Sequence, residues 1–308
     1  MRAVLLFIML AGACGRAIGD GPAGDEHKMP ESVVDVGEAI VGRAVVRQAT
    51  VLLTDQSELI SLEPQAGRSR RWPLRGANGA TFWGLAWTEG ALWTLVDRYA
   101  LGRLASNGEL AERIDLREPH VGLFGWKAQL ILQPARWETG RPALRRGPTR
   151  GASGPFGALV LRPYPGPRAE MLAFNLVRCG WSDGTEVPCW FSDETTLDRI
   201  DAAGASRTLV VPGLHRSPEG SGVALEQRPR PIRDAYVTAA DTLWVLTTAQ
   251  EPTSNGDRYG RRLVQIRRDG ESVGERWLPY PARLILRADR RAVHLLDAGG
   301  LMRMVPVG

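Results

Sequence analysis

The residues in this chain that could do chemistry are few, and no single motif gathers them. His120 and His215 have the best-placed imidazoles, with Arg216 and Glu219 close behind His215. Histidine titrates near neutral pH, but acid–base work also needs the ring within hydrogen-bond reach of a substrate proton. Neither stands in a recognisable catalytic pattern, and ordinary surface or hydrogen-bonded histidines are the competing reading. Residues 134–157 carry Arg136, Trp137, Arg141, Arg145, Arg146 and Arg150 against one acid, Glu138. Guanidinium groups offer planar, paired donors, so such a segment suits an anionic partner, an acidic protein or a polysaccharide. A solvated loop in an Arg-rich chain is the alternative. Arg258 and Tyr259, in the long segment 249–261, complete the candidate binding set.

Asp55, Asp97, Asp193 and Asp297 recur at regular places and invite comparison with a carboxylate ring for calcium. Aspartates that cap the following turn would be copied in the same way by a repeat. The sequence has no G-x-S-x-G, H-E-x-x-H, G-x-G-x-x-G or phosphate-binding glycine loop. We therefore assign no catalytic residue, metal or cofactor from the sequence, and whether the protein is an enzyme stays open.

The three cysteines divide unevenly. Cys179 and Cys189 flank a stretch containing Asp183-Gly184, a hairpin-turn signal, which places them across from each other on adjacent strands. In an oxidising compartment that predicts a structural disulfide, and a two-cysteine metal site lacks completing ligands at the right spacing. The odd one, Cys14, follows Ala11-Gly12-Ala13 and resembles the lipid-modified cysteine of a bacterial lipoprotein, though Ala11 stands where that pattern usually has Leu. Arg2 and the apolar run Val4 to Leu10 precede it in the order of an export signal, and the run is far short of the ~20 residues that span a bilayer. Ordinary cleavage at the A-x-A site and lipidation of Cys14 are both open.

These features predict a signal peptide over 1–13, a flexible tether rich in Gly, Asp and Pro over 14–30, and one domain over 31–308. The chain is expected at the cell envelope, in the periplasm or on the outer membrane, touching membrane only through a lipid on Cys14. The formal charge is +5 and its cations are almost all arginine. Base-composition bias accounts for that more simply than nucleic-acid binding.

What positions the candidates is a repeat. A short apolar strand ending in a polar residue occurs as Val51-Leu-Leu-Thr-Asp55, Trp93-Thr-Leu-Val-Asp97, Leu130-Ile-Leu-Gln133, Trp190-Phe-Ser-Asp193, Trp244-Val-Leu-Thr-Thr248 and Val293-His-Leu-Leu-Asp297. The spacings bracket the ~40 to 50 residues of a four-stranded propeller blade. A further strand follows each, at 59–62, 101–104, 158–161, 197–200, 263–266 and 301–304. The strand before each carries small and aromatic residues, as in Phe82-Trp-Gly-Leu-Ala-Trp87, which suits the crowded centre of a ring.

The segment Trp83 to Asp97, with Gly102-Arg103-Leu104 and Asn107-Gly108, resembles an NHL-type propeller repeat, and residues 235–278 do so more loosely. The resemblance to NHL-like and TolB-like propellers implies an all-β, six-bladed β-propeller. It implies no activity, because that group includes binding scaffolds, lactonases and lyases. The last unit stops one strand short, and Ser32-Val-Val-Asp-Val36 is unassigned, so this N-terminal strand is expected to complete the last blade. Long loops at 134–157, 213–233 and 249–261 are expected on one face. The function expected from this is non-enzymatic binding or scaffolding of an envelope protein or anionic polysaccharide through that face. The alternative is a lactonase or lyase at the channel mouth.

Overall fold

Successive side chains of a strand point to opposite sides of its sheet, so a strand apolar at every position must be covered on both. That is the condition of the second strand of each repeat, and it makes the sheets stack face to face. The computed structural model describes residues 40–75, 79–136, 138–148, 154–164, 171, 174–214, 230–248 and 259–307. Its first sheet joins β1 (Ile40–Val46), β2 (Ala49–Thr54), β3 (Glu58–Glu63) and β4 (Arg68–Pro73) in sequence order. The second joins β5 (Phe82–Thr88), β6 (Ala91–Val96), β7 (Ala100–Leu104) and β8 (Leu110–Asp115), and the third β9 (His120–Trp126), β10 (Gln129–Pro134), β11 (Arg145–Arg146) and β12 (Gly154–Pro155). In the fourth, β13 (Val177–Cys179) is followed in the chain by β14 (Trp181–Ser182), which leaves the sheet, and then by β15 (Glu186–Phe191), β16 (Thr196–Asp201) and β17 (Ser206–Val210).

The last sheet has seven strands. It runs from β14 through β18 (Ile232–Val237), β19 (Leu243–Thr247), β20 (Gly260–Ile266), β21 (Ser272–Ala288) and β22 (Ala292–Asp297) to β23 (Met302–Pro306). β21 does two jobs. Its Ser272 to Trp277 stretch pairs with β20, and its Leu284 to Ala288 stretch pairs with β22. The seven-stranded sheet thus divides in two within β21, the first half carrying β18 to β20 and the second β22 and β23.

The sectors close into a ring. Phe82, Leu85 and Val96 pack on Ala44, Val51 and Leu53 of the first sheet, and Ala86, Trp93 and Leu95 pack on Leu123, Leu130 and Leu132 of the third. Trp126, Ile131 and Phe156 meet Val177, Val187 and Phe191, while Trp190 and Leu197 meet Ala235 and Val245. Within the divided sheet, Tyr236 and Leu246 pack on Ile285 and Leu295. The seam is Leu286 and Leu296 against Leu52, Ile60 and Leu62 of the first sheet, with Thr50 Oγ1 donating to the Leu286 carbonyl at 2.9 Å. Neighbouring residues of one strand serve opposite interfaces: Leu52 faces the seam, Val51 and Leu53 the second sheet. This is an all-β propeller.

The innermost strands crowd as expected. A Cβ on Gly42 would fall 2.6 Å from the Gly84 carbonyl carbon, one on Gly125 2.7 Å from Trp87 N, and one on Gly180 2.1 Å from the Ala235 carbonyl oxygen. Gly84 also has φ of 65°. Such contacts leave no room for a side chain. The links into each inner strand and the turns after each second strand share one face, tied by backbone hydrogen bonds such as Asp97 N to Thr81 O, Ala135 N to Pro119 O and Thr248 N to Pro231 O. We call this the link face.

Three sequence readings change. Residues 158–161 are not the third strand of the third sheet; β11 takes that place, and its ladder extends by Phe156 N to Leu144 O and Ala143 N to Leu159 O. Two short strands, β11 and β12, thus lie within 134–157, and Ala143, Leu144 and Phe156 are core residues hidden in an Arg- and Gly-rich stretch. The recurring aspartates do not share one role. Asp297 accepts from Leu301 N in its own turn, Asp97 from Thr81 in the preceding link, and Asp193 pairs with Arg162. Among the tryptophans, Trp277 on β21 is the clearly exposed one, whereas Trp137 lies outside the described residues. So do residues 1–39, including Cys14 and the expected closing strand 32–36, most of 213–233 and most of 249–261.

Cys179 and Cys189 are direct cross-strand partners in β13 and β15 and are joined, as expected from the hairpin signal between them. Cys189 is fully buried against Val177, Val187 and Phe191. Closing so short a loop stabilises by about 2–3 kcal/mol on the loop-entropy model. Replacing both cysteines by alanine is expected to lower the urea-unfolding free energy by about that amount, and an unchanged midpoint would contradict it.

Candidate functional site

Two groups of polar residues stand out, one on the link face and one inside the ring. On the link face, Glu118 lies in the connection between β8 and β9. Its carboxylate accepts a two-pronged pair from Arg136 (Nε and Nη2, each 2.9 Å) and a third bond from Arg145 Nη1 at 3.2 Å. The Arg136 bond holds the Glu118 carboxyl below its ordinary range. His120, two residues on, is buried, and desolvation lowers its pKa from the ordinary 6.5 although Glu118 opposes the shift. Its ring is accordingly neutral at pH 7, and Nδ1 has no hydrogen-bond partner among the described residues.

The candidates from the sequence therefore separate. His120, Arg136 and Arg145 come together around Glu118, which no sequence pattern singled out. Arg146 points elsewhere: its guanidinium lies over Phe156 and donates to the Ala203 carbonyl at 2.7 Å, tying the third sheet to the fourth. Tyr259 packs under the guanidinium of Arg283 at the start of the β21 inner segment. Trp137, His215 and Arg258 lie outside the described residues. Among the described residues no three His, Cys, Asp or Glu side chains are placed to hold a metal ion together.

The second group lines the central channel. A cavity of about 330 Å³ runs along the inner strands, bounded by residues that include Arg43, Trp83, Val121, Phe124, Arg178 and Trp181. Its volume is at the small end of the ~300–1,000 Å³ typical of ligand sites. Trp83 is stacked beneath Arg98, with the guanidinium carbon 4.7 Å from the ring centre. Trp181 is held by its indole N–H, which donates to Asp183 at 3.3 Å, and the other oxygen of Asp183 accepts from Tyr236 at 2.5 Å. Burial, reinforced by Asp183, pushes the Tyr236 hydroxyl pKa well up, so it stays a donor.

Charge on the inner strands is one-sided, and two of their arginines, Arg43 and Arg178, line the cavity. The inner strands β1, β5, β9, β13 and β18 and the 282–288 part of β21 carry Arg43, Arg178, Arg233, Arg283 and Arg287 against one acid, Asp234. Arg43 reaches from the first sheet and grips Asp234 with both Nη atoms, the Nη2–Oδ1 contact being 2.9 Å and Nη1 bonding Oδ2 more closely. Nη1 also donates to the Ile285 carbonyl at 3.0 Å. Asp234 Oδ2 accepts from Ile285 N at 2.7 Å, and Oδ1 from Ala235 N at 2.9 Å. One buried ion pair thus connects three sectors across the seam.

Sequence reasoning missed this group. The available signal was an arginine at the centre of strands otherwise small or apolar, Gly42-Arg43-Ala44 and Val177-Arg178-Cys179, where an alternating pattern reads as solvent-facing.

The Arg43–Asp234 pair is nearly buried, with side-chain exposures of 13% and 6%. Removing one partner of such a pair strands the other charge, at a cost of about 3–5 kcal/mol. Asp234→Ala is expected to lose stability on that scale in urea denaturation, with Arg43→Met/Asp234→Leu recovering much of it. A loss under about 1 kcal/mol would show that the pair does not hold the ring.

Comparison with known proteins returns no matching family model and no matching curated protein. Solved structures that align include virginiamycin B lyase from Staphylococcus aureus, at 14% identity and TM-score 0.47 over 89% of this chain and 86% of that one. YCF48 from Cyanidioschyzon merolae aligns at 9% and 0.47 over 90% and 88%. The Cps50 (Swd1) β-propeller domain of Myceliophteria thermophila aligns at 11% and 0.45 over 90% and 99%. At this level of likeness they say nothing of what this chain binds or does, and the propeller assignment rests on its own strand pairing.

Proposed function

We propose that this protein is an exported, non-enzymatic binding propeller of the bacterial cell envelope that admits part of its partner to the central channel from the link face. The observation that carries the reading is the channel cavity, in which Trp83, Phe124 and Trp181 offer apolar surface beside Arg43 and Arg178. Aromatic walls with a few convergent polar groups are the usual make-up of a ligand site. The partner is an envelope protein or an anionic polysaccharide, in keeping with the arginine excess on the inner strands. Residues 1–13 direct export and Cys14 carries a lipid. The ring is six-bladed and NHL-like, β21 being shared between two blades. β23 has no strand partner on its outer side among the described residues, the edge that the closing strand expected at 32–36 would cover.

The channel reading is tested by filling the channel. Val121 lines the cavity without belonging to the buried core, so Val121→Trp should plug it and leave the fold intact. In a thermal-shift screen of envelope glycans and metabolites, ligands that raise the melting temperature of the wild type are expected to leave the variant unmoved. Equal shifts in both proteins would place binding outside the channel. Ligand recovered intact by mass spectrometry fits a binding protein; ligand recovered cleaved or eliminated would favour a lactonase or lyase at the same mouth.

A further inference from the structure

Of the two arginines that line the cavity, Arg43 is paired with Asp234 and Arg178 has no ion pair among the described residues. It sits in β13 between Val177 and Cys179, which turn toward the third sheet and join its core. The charged groups that act on Arg178 are Arg230, Arg233 and Asp234, at the entry and inner strand of the neighbouring sector. Protein packs densely around its guanidinium while the residue keeps part of its surface open to the cavity, and burial together with the two like charges lowers its pKa to about 10. Nε has no hydrogen-bond partner among the described residues.

The nearby acid is not available to it. A carboxylate offers about four lone-pair sites. Those of Asp234 receive two bonds from Arg43, one from Ile285 N and one from Ala235 N. Arg178 is left as a largely desolvated cation in the cavity wall, beside positive neighbours and with no ion pair among the described residues. Such a charge costs stability unless something negative comes to it.

We propose that Arg178 is the anchor for a carboxylate, carried on a ring-sized body that packs among Trp83, Phe124 and Trp181. The planar guanidinium, presenting its two Nη atoms, matches the two oxygens of a carboxylate. The aromatic walls take the flat apolar face of the ring, and the cavity volume limits the body to one or two rings. Both an aromatic acid and the uronic acid unit of a polysaccharide present this chemistry. The assignment rests on the channel being the binding site, and it adds the charge and shape of what binds there.

The probes are benzoate with benzamide and glucuronate with glucuronamide, in calorimetry and thermal shift on the purified protein. At least one acid is expected to bind about 10-fold more tightly than its amide, the scale of one charge-assisted pair. Which acid does so separates the aromatic from the sugar source. Arg178→Met is expected to erase the preference and to melt, without ligand, at or above the wild-type temperature, because it removes a buried unpaired charge while keeping the side-chain length. Arg178→Lys should keep part of the preference. If acid and amide bind alike, or if Arg178→Met retains the preference, the anchor assignment is wrong while the channel reading stands. If no probe binds, the carboxylate assignment falls, and the plugged Val121→Trp protein judges the channel reading separately.

Discussion

The ring depends on one interaction at its centre, the ion pair between Arg43 and Asp234. A propeller is a cyclic stack of sheets, and a cyclic stack has a seam where the ends of the chain meet. Hydrophobic packing alone is indifferent to small slips along that seam. The bidentate grip of Arg43 on Asp234, with the backbone of Ile285 accepting from one partner and donating to the other, fixes the first sheet against both halves of the last one. A buried pair of this kind contributes less to net stability than its geometry suggests, since both charges lost their water to form it. Its value here is registration, because the bonds can be made in only one alignment of three strands.

The same pair has a consequence for the channel. By saturating the only carboxylate on the described inner strands, it leaves Arg178 at the cavity wall without an ion pair among the described residues. The cavity is therefore positive by construction, and the glycines that let the inner strands approach also keep it narrow. Rigid aromatic walls complete it: Trp83 is stacked under Arg98, and Trp181 is held by an aspartate that a buried tyrosine also holds. On the link face the arginines are engaged instead, since Glu118 bonds both Arg136 and Arg145 and so ties the β8–β9 link to the end of β10 and to β11.

Much of the architecture could be read from the sequence because the second strand of each unit is apolar on both sides, a pattern that only stacked sheets explain. Leu52 and Leu53, or Trp190 and Phe191, serve two interfaces each pair, and their recurrence marks the units. The cross-strand disulfide was legible for a local reason, a hairpin signal between Cys179 and Cys189. The third sheet was less legible: Leu144 and Phe156 are isolated apolar residues in a stretch of Arg, Gly and Pro, and single residues carry no period. The channel group was invisible for a different reason. Arg43, Arg178 and Asp234 come from strands far apart in the chain, and only ring closure brings them to one place.

The central proposal is that the channel is a cationic pocket that receives a ring-borne carboxylate. Crystals soaked in 4-bromobenzoate and measured at the bromine absorption edge would test this most directly. The expected result is an anomalous peak inside the channel among Trp83, Phe124 and Trp181, with both carboxylate oxygens on the guanidinium of Arg178 and the Arg43–Asp234 pair undisturbed. Bromine found only outside the ring, or seated in the channel with its carboxylate turned away from Arg178, would contradict it.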